Sequence, residues 1–170
     1  MNIAVLRPSG NYCFRPDTTL NREARDYYIP DGVEAVTLRP CIYSKIIKAG
    51  KCVSERFAER YVDNFGFGVL LDAEDTDPME AFCMDGSSYL SGDTAPVSGI
   101  NDAVFEVSIN GKPWLRKEGF SAGMLFDALV TVSRRSSVRA TDMIAVCLPE
   151  SLTLHKGDSF TFEGQKVNIL

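Results

Sequence analysis

Histidine is nearly missing from this chain: His155 stands alone among 170 residues. A site built from several histidines is therefore excluded, and with His155 read as a surface rather than a catalytic residue, a general base would have to come from elsewhere. No run approaches the ~20 apolar residues that cross a bilayer. The opening segment MNIAVLRPSGNY has no basic region and breaks early at Pro8-Ser9-Gly10, unlike a secretory leader. A soluble cytoplasmic protein is the expectation. Positive charge is in deficit, with 18 Lys and Arg against 23 Asp and Glu. With no basic block to neutralise phosphates, neither nucleic acid nor a membrane is expected as a partner. The five cysteines, Cys13, Cys41, Cys52, Cys83 and Cys147, are scattered with no C-x-x-C pair. Neither a disulfide framework nor a zinc knuckle follows from them, and they read as reduced thiols. Repeats, low-complexity tracts and Pro/Gly/Ser linkers are also absent, so residues 1–170 are expected to form one domain.

What is present is mostly strand pattern. Met1 to Leu6 and Tyr12 to Arg15 read as extended pieces around Arg7-Pro8-Ser9-Gly10, and Cys41 to Ile47 as a further strand. Ser54 is positioned to cap a helix to about Asn64, with Phe57, Tyr61 and Phe65 at four-residue spacing and Ala58 and Val62 beside them. Phe65 to Leu71, carrying Gly66 and Gly68, reads as a buried strand approached closely by other chain. Asp72 to Gly99 reads as a long loop whose acidic start is solvated. Ala103 to Ile109 and Pro113 to Arg116 flank Asn110-Gly111, a hairpin signal. Ser121 caps a second helix through Met124, Leu125, Ala128, Leu129 and Val132. Four further strands follow: Met143 to Leu148, one from Ser151 to the Lys156-Gly157-Asp158 turn, Ser159 to Glu163, and a last one after the Gly164-Gln165 turn to Leu170.

Several of these features, in this order, resemble the fumarylacetoacetate hydrolase family, over most of the chain after residue 12. They are Phe14-Arg15-Pro16 with Leu20, Tyr28-Ile29-Pro30-Asp31, Gly50-Lys51 before Ser54 to Ala58, Gly68 to Asp75, Asn110-Gly111-Lys112, Gly123-Met124-Leu125-Phe126, and His155-Lys156-Gly157-Asp158. The resemblance implies a β-rich α+β fold, a mixed β-sandwich roll with two main helices, and a homodimer. It also implies a divalent cation, usually magnesium, held by a Glu-x-Glu pair on one strand and an Asp on a neighbouring one. Residues two apart on a strand share a face, so the pair is physically sensible.

In the register that the resemblance suggests, the Glu-x-Glu positions hold Arg39 and Cys41, and the Asp position holds Leu70. A guanidinium about 5 Å from a dication costs about 7 kcal/mol at an effective dielectric near 20. Other family positions differ too: Phe82 stands for a lysine, Glu74 for an arginine, and Val146-Cys147-Leu148-Pro149 for a hydroxyl-bearing Thr-Gly-Thr-Pro. The expectation is a protein that has lost metal-dependent catalysis, with no catalytic residue, metal or cofactor, and a vestigial pocket of Arg15, Arg39, Cys41, Leu70, Glu74 and Phe82. That pocket could take a small anionic ligand through Arg15 and Arg39, or the chain could be a structural subunit. The alternative is a magnesium-dependent hydrolase or decarboxylase of β-diketo or oxo acids, working through a relocated acidic site of Asp72, Glu74 and Asp85. Ser87-Ser88, Ser133 and Arg134-Arg135 have no histidine near them in sequence, and His155 reads as a surface residue.

Overall fold

A computed structural model describes residues 1–74 and 76–170. Asp75, the last residue of the Gly68 to Asp75 segment, lies outside them. In chain order the strands are β1 (Asn2–Leu6), β2 (Tyr12–Pro16), β3 (Ala35–Lys45), β4 (Asn64–Ala73), β5 (Ser88–Leu90), β6 (Ala95–Pro96), β7 (Phe105–Ile109), β8 (Lys112–Lys117), β9 (Met143–Cys147), β10 (Leu152–His155), β11 (Ser159–Phe162) and β12 (Gln165–Asn168). The α-helices are α1 (Pro78–Ala81) and α2 (Ala122–Ser133). One sheet runs β2-β1-β9-β3-β4-β5, with β10 paired to β3 and β6 to β4; the other runs β12-β11-β7-β8. β1 and β9 are parallel and the remaining pairs antiparallel, which makes the larger sheet mixed.

Alternation gives the larger sheet two apolar faces. Val36, Leu38, Ile42, Phe67, Val69, Leu71, Ile144 and Val146 pack, with the buried side of α2 and with Phe105, Phe160 and Phe162 of the second sheet, into the main core. Ile3, Val5, Cys41, Tyr43, Leu70, Ala145 and Cys147 form a separate cluster on the opposite face. That second face is enclosed because the sheet curls: Leu20, just beyond β2, bridges Ser88 of β5, and Asn21 N–H donates to the Ser88 carbonyl at 2.9 Å. The two ends of the strand order thus meet, and the small cluster becomes the interior of a roll.

Pro40 lies in the middle of β3, where a missing N–H ordinarily breaks a ladder. Here its carbonyl accepts from Leu148 N at 2.8 Å, just past the end of β9, while β10 begins its pairing at Leu38. The absent donor falls in the gap between two successive partner strands. The hairpin between β7 and β8 forms at Asn110-Gly111, both with positive φ (51° and 76°), as a two-residue type I′ turn requires. Ser121 caps α2 through Gly123 N, and Leu125, Ala128, Leu129 and Val132 are buried as the spacing predicts.

Two expectations are corrected. The segment from Ser54 is a seven-residue 3-10 helix, Glu55–Tyr61, without a side-chain cap from Ser54. At three residues per turn a four-residue stripe does not stay on one face. Accordingly Ala58 is buried while Phe57 remains 40% exposed, between the guanidiniums of Arg56 and Arg60. The stretch from Asp72 to Gly99 is not one loop. It completes β4, forms α1 on an Asp77 cap, and adds β5 and β6, elements of two to four residues too short to show a period.

Candidate functional site

Asp72 is the centre of the site, and its position corrects the reading of a solvated loop start. It lies in β4, is 4% exposed, and points into the roll because it follows Gly66, Gly68 and Leu70 at two-residue spacing. Three guanidiniums converge on its carboxylate. Arg7 Nη1 lies 2.9 Å and Arg39 Nε 2.6 Å from Oδ2, and Arg15 Nη2 pairs with Oδ1. Arg15, on β2, is fully buried and spans the closure of the roll. It donates to the Leu71 carbonyl at 2.9 Å, to Ser87 Oγ at 3.0 Å and to Ser88 Oγ at 3.1 Å. Ser88 in turn donates to Thr19 at 2.9 Å. The guanidinium of Arg7 stacks 4.0 Å over the Phe82 ring.

Among the described residues one carboxylate is paired with three arginines, an excess of two positive charges in these ion pairs. Burial would push the Asp72 carboxyl up, but Arg15, then Arg7 and Arg39, outweigh burial and hold it below its ordinary 3.8. Such a group contributes stability that is complete above its unfolded value and is lost as pH falls through the lower folded one. Wild-type stability is therefore expected to fall below about pH 4, with an acid limb that Asp72→Asn shortens; urea titrations from pH 3 to 7 measure both. Nε and Nη2 of Arg7 and Nε of Arg15 are buried and have no hydrogen-bond partner among the described residues.

The structure brings Arg15, Arg39, Cys41 and Leu70 onto the same interior face: Arg39 is the cross-strand partner of Leu70, and Cys41 of both Gly68 and Cys147. Burial raises the Cys41 thiol well above its usual range and Cys147 to about 11, so both are protonated at neutral pH. Glu74 lies beyond the end of β4, where Thr37 (2.6 Å) and Thr153 (2.8 Å) donate to one of its oxygens. Those two hydroxyls hold its carboxyl below the usual value. Asp85 is exposed before β5. Asp72, Glu74 and Asp85 share no hydrogen bond, and no group of three or more His, Cys, Asp and Glu is placed to hold a metal among the described residues. Ser133 accepts from Val53 N, Arg134 and Arg135 are exposed, and so is His155.

The donor set does not fit a divalent cation. Both oxygens of Asp72 are taken by guanidiniums, and Arg39, Cys41 and Leu70 offer no anion. The geometry also admits a second register. Asp72 pairs directly with Thr37, two residues before Arg39. A two-residue slip keeps every side chain on its face, and puts Thr37 and Arg39 at the Glu-x-Glu positions with Asp72 at the Asp position. Arg39 would occupy a ligand position in either register if the resemblance holds.

Arg7 was not singled out by sequence, although Ile3, Val5 and Arg7 alternate and the period alone carries it onto the interior face. Thr19 and Ser88 become part of the site only through closure of the roll, which pairs residues some 70 apart.

No family model matches the sequence, and no curated protein does. Solved structures do match. A Yersinia pestis CO92 protein of the fumarylacetoacetate hydrolase family superposes with a TM-score of 0.82 at 18% identity, over 99% of this chain and 92% of that one. A 5-carboxymethyl-2-hydroxymuconate delta-isomerase from Mycobacterium smegmatis gives 0.81 at 15%, over 99% and 78%. A fumarylpyruvate hydrolase from Pseudomonas aeruginosa, solved with Mn2+ and pyruvate, gives 0.80 at 12%, over 100% and 89%. The fold is that of the fumarylacetoacetate hydrolase family. Among the described residues, no helix is long and apolar enough to cross a membrane.

Proposed function

We propose that this fumarylacetoacetate-hydrolase-like protein has lost metal-dependent catalysis and uses the inherited pocket to hold a small anion. The observation that carries the reading is Arg39, which lies on the interior face and hydrogen-bonds the buried carboxylate of Asp72; the family resemblance gives its position to a metal ligand in both registers. A cation there meets a guanidinium instead of a carboxylate, and the repulsion of about 7 kcal/mol at about 5 Å corresponds to about five decades of affinity. The same charge favours anions. Among the described residues, the surplus of two positive charges in the ion pairs and the donors of Arg7 and Arg15 without a hydrogen-bond partner support a monocarboxylate or phosphate group as the ligand. A homodimer belongs to the same proposal, checked by light scattering.

Calorimetric titration with Mg2+, Mn2+ and Ca2+ is expected to show no binding up to about 1 mM. Micromolar affinity for any of the three sinks the proposal. Pyruvate and inorganic phosphate are expected to raise Tm in a concentration-dependent way, and Arg39→Glu to abolish the rise.

A further inference from the structure

A cavity lies at one end of the roll. Along β3 the interior-facing residues run Arg39, Cys41, Tyr43, Lys45, and six residues of strand separate the first from the last by about 20 Å. At the Lys45 end lies a cavity of about 330 Å³, at the small end of the range of ligand pockets. None of the residues of the arginine cluster lines it.

Its floor is apolar and fixed. Leu20, Tyr43, Leu90 and Met143 form it, as continuations of the interior cluster. Gly66 seats the Tyr43 ring, since a Cβ there would lie 2.7 Å from it, and Gly68 seats Leu90, since a Cβ there would lie 2.6 Å from Cδ2. The Tyr43 hydroxyl donates to the Ser91 carbonyl, and burial pushes its pKa up to about 12, so it stays a donor and its ring stays in place. The rim is charged with one sign. Arg22 and Lys45 line the cavity, no carboxylate does, and neither cation forms an ion pair among the described residues. Asp93 stands next to the rim, between the lining residues Gly92 and Thr94, and is exposed. Asn21 and Asn64 add neutral polar groups. In a chain of net charge -5, the charged residues that line this apolar floor among the described residues are both cations.

We propose that this cavity is a second ligand site, distinct from the arginine cluster, that binds a small amphipathic monocarboxylate. A single ring or short branched chain would lie on Tyr43, Leu90 and Met143, and its carboxylate would be held by Lys45 and Arg22. The site does not depend on what the arginine cluster binds, and the two fail separately.

The test is an NMR titration of the full chain with benzoate, using benzyl alcohol as the neutral and benzylamine as the cationic comparison. Benzoate is expected to shift the Met143 and Leu90 methyls and the Tyr43 ring with a Kd below about 1 mM. Benzyl alcohol is expected to bind about tenfold more weakly, the value of one charge-assisted hydrogen bond, and benzylamine not at all. Arg22→Glu/Lys45→Glu should lower benzoate affinity at least about tenfold with Tm unchanged, since both residues are exposed. Arg39→Glu should leave it as in the wild type. The proposal is overturned by no shift at about 10 mM benzoate, by equal binding of benzoate and benzyl alcohol, or by shifts confined to the arginine cluster and lost in Arg39→Glu.

Discussion

Asp72→Asn is expected to destabilise the fold by about 3–5 kcal/mol, the usual cost of removing one partner from a buried ionic group. The substitution keeps the shape and removes the one carboxylate that, among the described residues, is ion-paired with Arg7, Arg15 and Arg39. The full figure applies because the Asp72 side chain is 6% exposed and that of Arg15 is 0%, which leaves little solvent to screen the uncompensated guanidiniums. Arg39→Ala makes the contrast. Its side chain is 26% exposed, and Asp72 keeps two other cations, so the loss should stay near 1 kcal/mol. Urea denaturation at pH 7 ranks the two. A further signature separates charge from shape: sulfate or phosphate at about 50 mM should recover part of the Asp72→Asn loss beyond its general effect on the wild type, because the missing anion is then supplied from solution. A cost below about 1 kcal/mol, with no specific anion rescue, would mean that the cluster is compensated by water rather than by Asp72.

The same cluster shows what the sequence carried and what it did not. The hairpin at Asn110-Gly111 and the helix after Ser121 are local, since turn geometry and capping depend on adjacent residues, and both formed where the sequence placed them. Strand alternation carried more than was read from it. Once β4 runs through Asp72, period two sends Asp72 inward with Gly68 and Leu70, and a run of Asp, Glu and Thr hides this because those residues usually mark loops. The 3-10 helix was misread because five apolar residues at four-residue spacing cannot say how tightly the turn is wound. Closure of the roll was not legible at all. The contact of Arg15 with Ser87 and Ser88 joins opposite ends of the strand order, and no local pattern encodes which edges of a curled sheet meet. The site residues on β3 and β4 were therefore found as a face, in the register of Arg39 and Cys41 with Leu70, and the strand pairing leaves room for a second register two residues away.

That freedom has an experimental answer. Thr37→Glu/Arg39→Glu is expected to create a Mn2+ site with a Kd in the range of about 10–100 µM, where the wild type is expected to bind none. In this double variant two carboxylates share a face of β3 and Asp72 sits directly across from the first of them, a set of hard oxygen ligands from neighbouring strands. Removing the Arg39 guanidinium lifts a repulsion of about 7 kcal/mol, and each added carboxylate supplies attraction of the same order as an upper limit. Arg7 and Arg15 still compete for Asp72, which is why the expected affinity is micromolar rather than tighter. The other register is tested by Arg39→Glu/Cys41→Glu/Leu70→Asp. It should bind no Mn2+ and lose stability, because Cys41 and Leu70 are buried at 0% and 1% exposure with apolar and thiol neighbours, and carboxylates placed there lose their hydration. Calorimetry and Tm on the two variants decide between them. Mn2+ binding by the triple and not by the double would return Leu70 to the Asp position; binding by the double alone identifies Thr37, Arg39 and Asp72 as the remnant of the metal site, with the acidic residue still in place and its former partner replaced by the cation that now holds it.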